Sequence, residues 1–130
     1  MSEKFEIEPI GYVTTEYDDS FYKSVKNEKR KYSEAKITMN EKYKIGIKDL
    51  KKGMKITLIF YFHKSNDYNM VSPTHFSNEP LGIYSSRSPR RPNNLGITTT
   101  KILKIEDNVI TIETSDMING TPIIDIKPAN

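Results

Sequence analysis

The chain has 130 residues, and its lysines and arginines exceed its aspartates and glutamates by 20 − 17 = 3. It has no cysteine, which excludes disulfides, thiolate zinc sites and cysteine nucleophiles. No apolar run approaches the roughly 20 residues needed to cross a bilayer, and no signal peptide is evident, so we expect one soluble cytoplasmic domain over residues 1–130 without a C-terminal extension domain.

The first part of the chain predicts short strands around a long charged loop. Phe5 and Ile7 alternate with glutamates, which predicts a strand within Phe5–Thr15. Residues 16–33 have weak periodicity and many charges, which predicts a long loop with a basic cluster at Lys26–Lys31. A short strand at Ala35–Met39 and a helical turn at Gly46–Leu50 follow.

The clearest strand is Met54–His63, in which two faces alternate. One face is wholly apolar and is expected to lie in the core; it comprises Met54, Ile56, Leu58, Phe60 and Phe62. His63 lies at the end of this strand on the other face. A histidine there is either a packed or exposed side chain or a functional group.

The second half predicts more strands and a closed sheet. Lys64–Pro80 is polar and predicts a loop, and a strand is expected to begin at Leu81–Tyr84. The segments 97–105 and 109–114 predict a hairpin, and a loop at Asp116–Thr121 leads to a last strand at Pro122–Ile126. The fold class is therefore mainly β: a small closed antiparallel β-barrel with long polar loops.

Gly82–Gly96, here called the arginine segment, reads GIYSSRSPRRPNNLG. Its arginines offer planar donors for phosphate or carboxylate. Its prolines fix the backbone and restrict the residues before them, so the cations are expected to sit at set positions. The alternative interpretation is a solvated basic turn between two strands.

Several kinds of site lack sequence support. The six glycines are too widely spaced for a dinucleotide-binding motif or a P-loop, and no nucleophile elbow is present. Two separated histidines without thiols do not support a metal site. A loop-built site at one end of the barrel remains, in which the arginine segment, His63 and the loop with Asn119–Gly120 hold a nucleotide-like ligand.

The sequence resembles the TrmO-type tRNA methyltransferases, also called the TsaA-like family. The resemblance lies in PIGYVTT, GIKDL, FYFHKS, GIYSSRSPRRPNNLGIT and DMINGTPIIDIKP. It implies a β-barrel that binds S-adenosyl-L-methionine and forms a homodimer with active sites near the subunit interface. The implied reaction methylates N6 of threonylcarbamoyl-adenosine beside the tRNA anticodon.

The matching motifs imply roles for individual residues. The implied cofactor-binding residues are His63, Lys64, Arg87, Ile97, Asp116, Met117, Ile118 and Asn119. Contacts with tRNA are expected from Arg90, Arg91, Asn93 and the basic cluster that includes Lys29 and Arg30. His63 has a suitable intrinsic pKa for a catalytic base; Asp125 and Asp116 are alternatives, and Asp125 is equally a partner for Lys127.

Three motifs depart from the family pattern. The usual N-P-I-G reads Asn93–Gly96 without its second proline, the usual D-G-T-P begins with Asn119, and the first long loop lacks a P-R-Q-like element. These departures leave open a same-fold methyltransferase with another nucleotide or small-molecule substrate, and a non-catalytic cofactor- or RNA-binding module. Composition alone also allows an OB-like single-strand binder, in which Tyr84 would either stack on bases or lie in the core.

Overall fold

A computed structural model of the chain describes residues 3–15, 34–65, 69–74, 77–113 and 117–129. The described strands are β1 Gly11–Thr14, β2 Ala35–Met39, β3 Lys55–Tyr61, β4 Val71–Thr74, β5 Ser77–Gly82, β6 Leu95–Glu106, β7 Val109–Ile112 and β8 Pro122–Pro128. Two 3₁₀ helices, Glu41–Ile47 and Ile83–Ser85, complete these elements.

Six strands close into an antiparallel barrel in the order β1-β2-β7-β6-β3-β8, and β8 pairs back onto β1. The longest pairing joins β3 to β6, from Lys55 opposite Lys101 to Tyr61 opposite Leu95. The prediction of a small closed barrel is confirmed. Closure satisfies the backbone groups that an open sheet would leave at its edges.

The core fills the barrel with β-branched and other apolar side chains. The predicted inner face of β3 is confirmed, since Ile56, Leu58 and Phe60 are buried, and Met54 and Phe62 pack against the core. The other buried members of this core are Val13, Ala35, Ile37, Met39, Ile47, Ile102, Ile110, Ile112, Met117 and Ile123. Strands with period-2 alternation place these residues inward and their neighbours outward.

Several expectations differ from the structure. Strand β1 begins only at Gly11, and Phe5 is 80% exposed in an extended segment outside the barrel. The helical turn comes earlier than predicted, at Glu41–Ile47. The prediction of a loop over Lys64–Pro80 is wrong in part, because β4 and β5 form a separate two-stranded sheet. Both strands are edge strands, where proline is tolerated. Pro73 and Pro80 therefore do not exclude strands here, although they favoured the prediction of a loop.

Leu81–Tyr84 does not begin a strand. Strand β5 ends at Gly82, and Ile83 opens a 3₁₀ turn. The basic cluster at Lys26–Lys31 lies outside the described residues.

Antiparallel pairing gives the barrel two unlike ends. Gly11 pairs with Ile123, Thr14 with Lys36, Ala35 with Ile112, and Tyr61 with Leu95. One end, here called the mouth, therefore collects the ends of β1, β3 and β7 and the starts of β2, β6 and β8. The opposite end carries the helix Glu41–Ile47 and the tight β6–β7 turn. The arginine segment, His63 and the Asn119–Gly120 turn all adjoin the mouth.

Candidate functional site

His63 and the Asn119–Gly120 turn lie side by side at the mouth. A Cβ atom added to Gly120 would stand 3.6 Å from Nε2 of His63. Gly120 has φ +87°, a conformation that L side chains rarely adopt, as its Asn-Gly sequence predicts. The absence of a side chain at this position leaves space beside the imidazole, whose Nδ1 atom is buried.

The turn around Gly120 is fastened to β1 by backbone bonds. Gly120 N–H donates to the carbonyl of Val13 at 2.8 Å, and Val13 N–H donates to the carbonyl of Thr121 at 2.9 Å. The Thr121 hydroxyl is buried and donates to the carbonyl of Ile118 at 2.7 Å. Asn119 is exposed, and its Oδ1 accepts a bond from Thr15 N–H. The turn is thus held before any ligand binds.

The arginine segment is braced by its serines. The Ser86 hydroxyl donates to the carbonyl of Ile83 at 3.0 Å, and the Ser88 hydroxyl accepts from Arg90 N–H at 3.2 Å. Arg91 Nη1 donates to the carbonyls of Ser86 and Ser88 at 2.9 and 3.1 Å. These bonds fix the backbone of the segment and hold the guanidinium of Arg91, while the set positions expected for the other two cations stay a prediction.

The three arginines differ in environment. Arg87 and Arg90 are exposed, whereas Arg91 is half-buried by its carbonyl contacts. A guanidinium carries five N–H donors, so the two bonds of Arg91 do not exhaust its capacity for a phosphate. Its predicted contact with tRNA stays a prediction, and Arg91 also has a structural role that the sequence did not indicate.

Asn94 and Gly96 close the arginine segment onto β3. Asn94 has φ +49°, its Nδ2 donates to the carbonyl of Pro89 at 2.9 Å, and its carbonyl accepts from Phe62 N–H at 2.8 Å. A Cβ atom at Gly96 would lie 2.6 Å from Phe60 and 2.8 Å from Phe62. Asn94 therefore lies opposite Phe62, the residue that precedes His63.

Asn94 occupies the position where the resembling family has proline. Proline fixes φ near −65° and cannot adopt the positive φ observed here. This exchange therefore changes how the segment closes. Asparagine tolerates the left-handed region, which is the only sequence signal for this closure.

The other residues with predicted roles differ in how exposed they are. Met117 is 2% exposed as a whole residue and belongs to the core, so the structure does not present it at the surface of the mouth. Ile118 is half-buried, while Lys64 and Asn93 are exposed. Ile97 lies on the outer face of β6 opposite Ile59 and is 53% exposed. Asp116, Lys29 and Arg30 lie outside the described residues.

Asp125 is placed away from His63. It pairs with Ile59, four residues before His63, which corresponds to about 13 Å along a strand. Its Oδ2 lies 3.1 Å from Nζ of Lys127, and its Oδ1 accepts from Ile126 N–H. The alternative role as a partner of Lys127 is observed, and the structure does not bring Asp125 to the Asn119–Gly120 turn.

Charge pairs with shifted pKa values lie at the end opposite the mouth. The bond from Lys44 lowers the pKa of Asp107, and the same contact raises the pKa of Lys44. Bonds from Tyr43 and Lys42 lower the pKa of Glu8. Within the described ranges, no group of three or more acidic or histidine side chains could hold a metal ion.

Residues 12–129 match the model of the tRNA-methyltransferase O N-terminal domain. The chain belongs to this family. The match covers every described strand except the first residue of β1, and it includes His63, the arginine segment and the Asn119–Gly120 turn.

Relatives of the chain carry two kinds of description. A probable S-adenosyl-L-methionine-binding protein of Pyrococcus horikoshii is 34% identical over 96% of this chain and 82% of its own length. One of Pyrococcus abyssi is 27% identical over 92% of this chain and 65% of its own length. A human tRNA (adenine(37)-N6)-methyltransferase is 40% identical over 56% of this chain.

Solved structures share the fold. TrmO from Pseudomonas aeruginosa superposes with a TM-score of 0.77 at 21% identity, covering 98% of this chain. The chain spans 57% of that structure, 65% of the Pyrococcus abyssi relative and 17% of the human enzyme. In the described part of the chain, no helix is both long and apolar enough to traverse a membrane.

Proposed function

We propose that the chain is an S-adenosyl-L-methionine-dependent tRNA (adenine-N6)-methyltransferase acting on threonylcarbamoyl-adenosine beside the anticodon. Family membership and the descriptions of the relatives support this class of reaction. The observation that carries the proposal is the proximity of Gly120 to Nε2 of His63 at the mouth. The imidazole of His63 can accept a proton, and the adjacent Asn119–Gly120 turn is suited to a nucleotide-like ligand.

The chemistry of the mouth fits such a ligand. The exposed Asn119 and the exposed Arg87 offer amide and guanidinium groups for a nucleoside and a carboxylate. We assign cofactor binding to His63, Lys64, Arg87, Ile97 and the loop 116–119.

S-adenosyl-L-methionine supplies a methyl group on a sulfonium, whose leaving group is a neutral thioether. The acceptor nitrogen is amide-like and must lose its proton as the new N–C bond forms. His63 Nε2 takes that proton, a step worth about 10²–10⁴-fold in rate. The bonded turn and the braced arginine segment hold the two reactants in line, and such alignment supplies about 7–11 kcal/mol.

Asp125 is the alternative base. Because its carboxylate is already paired with Lys127, we favour His63 as the group that accepts the proton. Arg90, Arg91 and Asn93 contact tRNA phosphates in this proposal, together with Lys29 and Arg30. Each phosphate contact adds about one unit to the salt slope of binding. Arg91 has a further task there, because it braces the segment that presents Arg90.

A homodimer is part of the proposal. The outer face of β3 and β6 near the mouth exposes Tyr61, Leu95 and Ile97, and Tyr61 pairs with Leu95. A surface cleft adjoins it whose lining is apolar apart from Glu6 and Glu8; its other lining residues are Phe5, Ile7, Pro9, Tyr61, Pro122 and Ile124. Apolar surface of this kind is typical of subunit contacts. Ile97→Asp should yield monomers by light scattering; an Ile97→Asp dimer would contradict this face.

The activity is tested with labelled cofactor and bulk tRNA from a strain deleted for this chain, followed by nucleoside analysis. We expect label in the adenosine beside the anticodon. His63→Asn should lower transfer at saturating cofactor by about 10²–10⁴-fold, and Asp125→Asn serves as the matched control with near-normal transfer. Label in no RNA would contradict the proposal.

A second candidate is a same-fold methyltransferase with a different nucleotide substrate. The positive φ of Asn94 favours it, because the arginine segment closes differently from a segment with proline there. Label in another nucleoside of the same digest would identify this case.

A further inference from the structure

Tyr84 is a large aromatic side chain turned outward at the start of the arginine segment. It is 71% exposed, although its neighbour Ile83 is buried. The alternative that Tyr84 lies in the core is therefore wrong. Within the described residues, packing therefore does not explain why an aromatic side chain occupies this position.

The turn that carries Tyr84 is fixed. Ile83 N–H donates to the carbonyl of Met70 at 2.7 Å, and the carbonyl of Ile83 accepts from both the N–H and the hydroxyl of Ser86. The backbone on both sides of Tyr84 is thus held by bonds and by the buried side chain of Ile83. A ring on such a turn loses little conformational freedom when it binds a flat partner.

The surroundings of Tyr84 are cationic and apolar. Residues 81–105 contain no aspartate or glutamate, and the exposed Arg87 and Arg90 follow Tyr84 by three and six positions. Val71 is exposed at the start of β4, where it pairs with Gly82, and the exposed Met70 precedes it. An exposed aromatic face followed in the chain by exposed arginines suits a partner that is both flat and polyanionic.

We propose that Tyr84 is an RNA-binding residue whose ring stacks on an unpaired nucleobase while Arg90 and Arg91 face the RNA backbone. Single-stranded loops of RNA are recognised in this way, by stacking of unpaired bases on aromatic side chains. This inference rests on the proposed function for its choice of RNA as partner. It adds a contact to the base, which the arginines alone do not provide.

The test is binding of bulk tRNA to purified chain, with Tyr84→Phe, Tyr84→Leu and Tyr84→Ala compared at several salt concentrations. Stacking is worth about 5- to 150-fold in affinity per base. We expect Tyr84→Phe to bind as the original chain does, and Tyr84→Leu and Tyr84→Ala to lose about that factor. The salt slope should stay the same, because stacking releases no counterions.

Tyr12→Ala is the matched control. Tyr12 is also exposed, but it lies on β1, which does not neighbour β6 in the barrel. Its affinity for tRNA should be unchanged. Unchanged affinity in Tyr84→Ala, or equal affinity of Tyr84→Leu and Tyr84→Phe, would overturn the inference. A change in the oligomeric state of Tyr84→Ala, measured by light scattering, would also overturn it, because it would indicate that Tyr84 is a subunit contact.

The readout separates this inference from the proposed activity. A chain that binds tRNA through Tyr84 but transfers no methyl group would refute the proposed function and leave the stacking role intact. If the original chain methylates tRNA, and Tyr84→Ala binds tRNA as tightly as the original chain does, only the stacking role is refuted. Absence of tRNA binding in the original chain would overturn the stacking role as well.

Discussion

The N–H of Thr15 donates a hydrogen bond of 3.1 Å to Oδ1 of Asn119, across 104 residues of chain. This bond ties the end of β1 to the turn that faces His63. It requires only an acceptor oxygen at position 119. The exchange of aspartate for asparagine relative to the D-G-T-P pattern therefore keeps the contact.

Asn119→Ala removes this acceptor. We expect a loss of about 0.5–1.5 kcal/mol in the free energy of unfolding and weaker binding of S-adenosyl-L-methionine. Asn119→Asp is the matched control and should retain stability. Urea denaturation and calorimetry measure the two effects; equal stability of the alanine and aspartate variants would show that the bond contributes nothing.

Gly96→Ala places a methyl group against Phe60 and Phe62 at 2.6–2.8 Å. Overpacking of this kind costs about 1–3 kcal/mol. Gly82→Ala is the control with the opposite expected sign, because its φ is −60° and an added Cβ meets nothing within 4 Å. That variant should be unchanged or slightly more stable. Urea midpoints that fall equally in both variants would contradict the steric account.

Asn94→Pro tests the closure of the arginine segment. Proline cannot adopt φ +49° and lacks the Nδ2 bond to Pro89, so the segment must rearrange or lose about 1–3 kcal/mol. Asn94→Gly keeps access to positive φ and isolates the side-chain bond. We expect the proline variant to lose more tRNA affinity than the glycine variant, and the reverse order would refute this account of the closure.

Asp107→Asn removes one side of the ion pair with Lys44 and keeps a residue that tolerates the φ of +54° at the turn. The pKa of Asp107 lies below its ordinary value of 3.8, so its contribution to stability is present above that value and lost as the pH falls through the lower folded value. We expect the original chain and the variant to differ slightly at pH 7 and to converge in strong acid.

The same pair predicts a second convergence at high pH. Its contact raises the pKa of Lys44 above 10.5, so the ammonium contributes below that value and loses its contribution as the pH rises through the raised one. Thermal unfolding from pH 2 to pH 11 measures both limits. A stability difference that is constant over this range would show that the pair does not act through charge.

The sequence predicted the barrel well because its strands follow simple alternation. Ala35–Met39 was predicted with its observed bounds, and the inner face of β3 was read directly from the spacing of its apolar residues. The β4–β5 sheet was missed because its strands contain proline and little alternation. Edge pairing outside a core leaves no apolar period to detect.

The candidate site was predictable in its parts and not in its assembly. The Asn-Gly pair indicated the positive φ of Gly120, but only the closure of the barrel brings Gly120 beside His63. The internal bonds of Arg91 carry no sequence signal, since an arginine near serines reads equally as a free cation. Burial of Met117 likewise depends on how the loop enters the core.

Strand β8 runs from the mouth towards the far end of the barrel, where Ala129 N–H donates to the carbonyl of Lys55. Its seven residues span about 23 Å. A domain fused after Ala129 would therefore be attached at the end of the barrel opposite the mouth, far from His63. A linker of roughly seven extended residues or more would have to run back along the outside of the barrel before that domain could influence transfer.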